Sequence, residues 1–94
     1  MVYVVERYVP GLCRSGLLAA LARLREATRE LRNEGAPVRY LGSTIVLEDE
    51  ARFCQFEGPS EAAVAEANRR AGVPFDRIVA AIAVLPAAGE EGDE

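Results

Sequence analysis

The sequence predicts an α+β domain of element order β-α-β-β-α-β, built as an antiparallel four-stranded sheet with two helices on one face. Three observations carry this expectation. Two segments repeat apolar residues at helical spacing, and each is closed by a glycine with a proline two residues on (Gly35 and Pro37, Gly72 and Pro74). Other segments are rich in β-branched and aromatic residues, the composition of a pleated, half-buried surface. Between the second and third of these lies only a short acidic turn, which joins antiparallel neighbours.

Taken in order, residues 2–9 (Val-Tyr-Val-Val-Glu-Arg-Tyr-Val) form the first predicted strand, ended by Pro10-Gly11. Ser15 is the expected N-cap of a helix reaching Glu34. In it Leu17, Leu21, Leu24, Thr28 and Leu31 make one stripe. Gly35 supplies the left-handed residue after it, and Pro37 prevents its continuation. Residues 37–47 form the second strand with a bulge at Gly42, and residues 52–57 the third. Ser60 caps a second helix reaching Ala71, with Glu61 in its first turn and Arg69-Arg70 in its last, both suited to the helix dipole. Asp76-Arg77 is expected as a turn-stabilising pair before a fourth strand over residues 77–85. The domain is therefore placed at 1–86. Residues 87–94 are small, acidic and free of aromatics, and are expected to be a disordered tail. Right-handed crossovers put the first strand between the third and the fourth, the ferredoxin-like split β-α-β arrangement.

Composition narrows the functional classes. All eleven basic residues are Arg, and the last five residues hold four of the fifteen acids. The rest of the chain is electrically neutral, without the basic stripe that a phosphate backbone demands, so no nucleic-acid partner is expected. No apolar run approaches the roughly 20 residues of a membrane span. The N-terminus lacks the basic start and apolar stretch of a secretory signal, so the expected location is the cytoplasm. Two cysteines far apart make no disulfide framework, and the chain has no His, the usual nitrogen ligand of nickel and zinc. Neither a metal site nor a cofactor is expected.

The strands do not alternate as a one-sided sheet should. In the fourth, Ile78, Ile82 and Val84 oppose Val79, Ala81, Ala83 and Leu85; in the first, Val2 and Val4 oppose Tyr3, Val5 and Val9. An apolar open face predicts a homodimer packed through it. A chain of 94 residues, whose lone core is marginal, gains stability that way.

Three segments resemble one family. They are Val5-Glu6-Arg7-Tyr8 with Pro10-Gly11, the run from Phe53 to Ser60, and Ala67-Asn68-Arg69-Arg70-Ala71-Gly72 followed by Pro74-Phe75-Asp76-Arg77-Ile78. They are similar to a family of small bacterial domains of unknown function that includes a nickel-binding protein. The resemblance implies a ferredoxin-like fold and a dimer of the α+β-barrel type. It brings no metal site, because nickel binding in that relative depends largely on histidines and this chain has none. Other dimeric α+β barrels are small monooxygenases, isomerases or cyclases of secondary metabolism.

Six residues are candidates for a site. Glu6 and Arg7 are adjacent charges in an apolar strand, so at least one faces a buried layer. Glu6 serves either as a catalytic acid or base or, with Arg7, in pairs with Arg52, Glu57 or Arg39. Cys54 lies mid-strand beside Phe53 and without a His to activate it; a small buried hydrophobe is the competing role. Asn68 falls on the inner stripe of the second helix with Val64, Ala67 and Ala71, either to recognise a ligand or to bond the loop carbonyls before the fourth strand. Tyr8 and Tyr40 offer phenols from strands, or are core aromatics with a polar edge. Two functions from different classes follow. One is a homodimeric small-molecule-binding domain whose pocket, between helices and sheet, draws on Glu6, Arg7, Tyr8, Tyr40, Cys54 and Asn68. The other is a cofactor-free isomerase or cyclase with Glu6 as its catalytic group. A divalent-metal reading rests on the relative alone and is disfavoured by the absence of His.

Overall fold

The computed structural model describes residues 1–84; the acidic segment 87–94 and Leu85 of the predicted fourth strand lie outside them. The described elements are β1 (Val2–Tyr8), α1 (Arg14–Asn33), β2 (Arg39–Val46), β3 (Ala51–Glu57), α2 (Glu61–Arg70) and β4 (Arg77–Ala81). The strands form one antiparallel sheet in the order β2-β3-β1-β4. This is the α+β, ferredoxin-like architecture the sequence predicts, with β1 between β3 and β4.

Register places the core. On β1 the odd positions Tyr3, Val5 and Arg7 are buried and the even positions Val2, Val4 and Glu6 are half-buried. Their β3 partners in register are Phe56, Cys54 and Arg52, all buried as well. From the helix layer Leu24 and Val64 close over this face, and both are fully buried. The buried stripe of α1 is Ala20, Leu24, Ala27, Thr28 and Leu31, shifted from the predicted one, with Leu17 and Leu21 half-buried at its edge. Alanines at 20 and 27 let the helix backbone approach the sheet more closely than leucines would. The Thr28 hydroxyl donates to the Arg25 carbonyl (3.0 Å), so its burial leaves that group satisfied.

Helix ends follow the sequence except at one place. Gly35 and Gly72 take φ of 94° and 67°, the left-handed conformation that ends each helix. The Ser60 hydroxyl accepts from the Ala63 amide (3.2 Å), as an N-cap should. Ser15 does not cap α1. The helix begins two residues earlier than that cap implies, at Arg14, after an extended Cys13 whose side chain makes no capping hydrogen bond among the described residues. Its first turn also holds no acid.

Strand bounds shift as well. β2 starts at Arg39 rather than residue 37, and its register steps between Tyr40 and Gly42, the expected bulge. β4 ends at Ala81, because Ala81 pairs with Val2, the first residue of β1, and the ladder has no further partner there. Ile82 and Val84, predicted within the strand, are 87% and 84% exposed.

The opposite face of the sheet carries Val2, Val4, Phe53, Val79 and Ala81 in adjacent registers, with Gln55, Thr44, Glu6 and Arg77 among them. Both helices lie on the other face. Among the described residues no helix is long and apolar enough to cross a membrane.

Candidate functional site

The charged residue of β1 that enters the helix-side layer is Arg7, not Glu6. Arg7 is 4% exposed. One Nη donates to the Pro74 carbonyl (3.1 Å) and the other to Asn68 Oδ1 (2.6 Å). Asn68, fully buried on α2, turns its amide nitrogen to the Val64 carbonyl one turn back (2.9 Å). Asn68 is thus a bridge between α2 and β1. It is Arg7, rather than Asn68, that meets a loop carbonyl before β4.

Directly opposite Arg7 in the β1–β3 register stands Arg52, which is 3% exposed. Like charges facing each other across a ladder repel. Among the described residues the Nε of each has no hydrogen-bond partner, and neither guanidinium enters an ion pair. The acceptors that Arg7 does have are neutral. Burial pushes the Arg7 guanidinium below its usual value; Cys54 opposes this shift and the charge of Arg52 adds to it. It remains a cation at neutral pH.

Above this pair lies a cavity of about 350 Å³. Its walls come from the first turn of α1, the loop 9–13 and the Val73-Pro74 segment. The buried residues Arg7, Arg52, Ala20 and Val73 form its deep end, and the exposed Tyr8, Gly11 and Cys13 its rim. At that rim the hydroxyl of Ser15 draws the Cys13 thiol below its ordinary value.

The remaining candidates divide between the two faces. Tyr40 and Cys54 share the helix side with Arg7: the Ser43 hydroxyl donates to Cys54 Sγ (3.0 Å) and also bonds the Tyr40 phenol. The Tyr40 ring tilts against Phe56 at 5.3 Å between centroids, and burial raises its phenol above the usual value. This line runs toward β2 and does not wall the cavity. Glu6 lies on the open face and accepts from Arg77 Nε (2.8 Å). Among the described residues neither Arg52 nor Arg39 binds Glu6, and Glu57 pairs with Arg39 instead of Arg7. The expected Asp76–Arg77 pair is also replaced, since Asp76 Oδ2 accepts from the Tyr8 amide (2.7 Å) while Arg77 goes to Glu6. Both contacts tie the start of β4 to β1.

Arg52 is the site residue that sequence reasoning passed over except as a pairing partner. Its signal was its place two residues before Cys54, on the same face of the same strand.

Known proteins add a family and a fold. The crystal structure of SCO4226 from Streptomyces coelicolor A3(2) superposes with a TM-score of 0.77 over 90% of this chain and 100% of that one, at 19% identity. A comparison with curated protein sequences gives no match. A family model described as "nickel responsive protein SCO4226-like" matches residues 3–80, a span from β1 into β4, and the chain accordingly belongs to that SCO4226-like family.

Proposed function

We propose that the chain is a homodimeric small-molecule-binding domain of the cytoplasm, with its ligand seated between α1 and the sheet. One observation carries the reading: the cavity over Arg7 and Arg52, about 350 Å³ in volume. That volume falls in the range of roughly 300–1,000 Å³ typical of ligand pockets. Apolar walls with a few buried polar groups at one end are the usual form of such a site. The dimer is supported by the other face of the sheet, where Val2, Val4, Phe53, Val79 and Ala81 have no helix above them among the described residues.

Acid–base chemistry at Glu6, as in a cofactor-free isomerase or cyclase, would sit on the side of the sheet away from this cavity. Nickel enters through the family description alone. The chain has no His, and the described residues contain no group of three or more His, Cys, Asp or Glu placed to hold a metal ion. These residues do not fit a nickel site within one chain.

Native mass spectrometry of protein purified from its own host tests both halves together. The expected result is the mass of two chains with additional bound mass that is lost on unfolding and refolding. A single-chain mass at micromolar concentration would refute the dimer. An unliganded mass, together with no response to any added compound, would refute the binding reading.

A further inference from the structure

The buried arginine pair says what kind of molecule the cavity takes. Removing a guanidinium from water is costly unless an opposite charge meets it. Here two are removed side by side, Arg7 and Arg52 facing each other in register at 4% and 3% exposure. Among the described residues no carboxylate pairs with either. The acids flanking this end of β1 are committed to backbone amides, Glu50 to Gly11 (2.9 Å) and Asp76 to Tyr8 (2.7 Å). Arg7 satisfies its two Nη groups with neutral oxygens, which leaves its Nε without a partner among the described residues and its charge uncompensated. The counter-charge must come from outside the described chain.

A second feature points the same way. The first turn of α1 walls the cavity through Gly16 and Leu17, and it carries neither a side-chain cap nor an acid. The positive end of a 20-residue helix dipole therefore borders the same space. By contrast the first turn of α2 has both a serine cap and Glu61. Apart from Arg23, whose Nε donates to the Ala71 carbonyl (2.8 Å), the lining beyond the pair includes the apolar Leu12, Leu17, Ala20 and Val73.

We propose that the cavity binds an organic carboxylate, its anionic head held by Arg52 and Arg7 at the deep end beside the first turn of α1. Its hydrocarbon body lies against Leu12, Leu17, Ala20 and Val73. This rests on the ligand-binding reading above and names the ligand class. Arg52, whose Nε has no partner among the described residues, is the principal contact, and a planar guanidinium suits a two-oxygen head. Arg7 is already oriented by Asn68 and Pro74, so it adds a fixed second charge.

The test uses the full chain in dilute buffer free of organic acids, by calorimetric titration and thermal melting. The probes are benzoate, hexanoate, inorganic phosphate and benzamide, the neutral counterpart of benzoate. The expected result is binding of benzoate or hexanoate with a raised melting temperature, and at least tenfold weaker binding of benzamide. Arg52→Met should abolish the carboxylate response while melting at or above the temperature of the ligand-free wild type, because it removes an uncompensated buried charge. Arg52→Gln serves the same purpose if the methionine variant does not fold.

Equal binding of benzamide and benzoate would overturn the carboxylate proposal and leave the small-molecule reading standing. Phosphate binding in place of both carboxylates would make this an inorganic oxyanion site and overturn the organic part. A carboxylate response that survives Arg52→Met or Arg52→Gln would overturn the assignment of the head group. No binding of any probe overturns the proposal. The broader reading falls with it only if the native protein also carries no extra mass.

Discussion

Arg7 of β1 and Asn68 of α2 are joined by a buried hydrogen bond of 2.6 Å between residues 61 positions apart. Asn68 spends its oxygen on Arg7 and its nitrogen on the Val64 carbonyl, so it fixes α2 against the centre of the sheet. Replacing it with alanine leaves an Arg7 donor without a partner in a buried layer. Hydrogen bonds to charged groups contribute about 1.5–3 kcal/mol, and a stranded buried donor adds desolvation cost. Asn68→Ala is expected to destabilise the domain by about 2 kcal/mol, which corresponds to a fall in melting temperature of roughly 10 °C at this size. Urea titration with an unchanged m-value would check it, and a loss below about 0.5 kcal/mol would contradict the bridge.

Glu6 offers the complementary case. Its partner Arg77 is largely exposed, with a side chain at 65% against 25% for Glu6. Ion pairs of this sort contribute about 0.2–1 kcal/mol. Glu6→Gln is expected to lower stability by less than about 1 kcal/mol and to leave retained ligand mass unchanged, since Glu6 lies across the sheet from the cavity. Loss of a turnover that the wild type shows, with stability intact, would instead establish Glu6 as a catalytic group.

The same contrast shows what the sequence could reveal. Strand composition, glycine-terminated helices and the short acidic turn were enough for the element order, and crossover handedness then settled the strand order. Period two in β1 required one of Glu6 and Arg7 to be buried, but not which. That choice depends on which face the helices cover, and so on the α1 and α2 stripes acting together. Asn68 was visible because it interrupts an apolar stripe with an amide. Arg52 was not, because its meaning comes from standing opposite Arg7, a pairing of residues 45 apart that exists only once β1 and β3 are in register. The end of β4 was misread for a related reason. The run from Ile78 to Leu85 is continuously apolar, yet pairing stops where β1 begins.

Arg70 links the ends of the two helices. It holds Glu34 through two hydrogen bonds (2.7 and 2.8 Å) and Glu66 through a third (2.9 Å). These bonds draw both carboxyls below their usual 4.5 and raise the guanidinium above its usual value. A carboxyl depressed by folding contributes stability that is complete above its unfolded value and is lost as pH falls through its folded value. Arg70→Gln is therefore expected to melt below wild type at pH 7, with the gap closing as the solution is acidified through and beyond 4.5. All these groups are solvent-facing, so added salt should also narrow the gap. Melting curves across pH decide it, and a gap that widens in acid would reverse the sign.

The dimer can be tested at a single side chain. Val4 lies mid-strand on the open face, with Gln55 and Val79 as its neighbours on either side. It is half-buried within one chain, so a polar replacement there disturbs little of the core formed by Val5, Phe56 and Leu24 on the other face. If two such faces pack together across a two-fold axis, each Val4 lies within the joint, and a charge placed there occurs twice without a partner. Val4→Glu is expected to halve the native mass at micromolar concentration while the circular-dichroism spectrum remains that of the folded domain. If the variant keeps the mass of two chains, the interface lies away from this face. If it loses its secondary structure together with its mass, the folded domain depends on its partner, as a small marginal core would. A variant at the rim of the same face, Thr44→Glu, then separates the two cases by weakening the dimer at lower concentration without unfolding the chain.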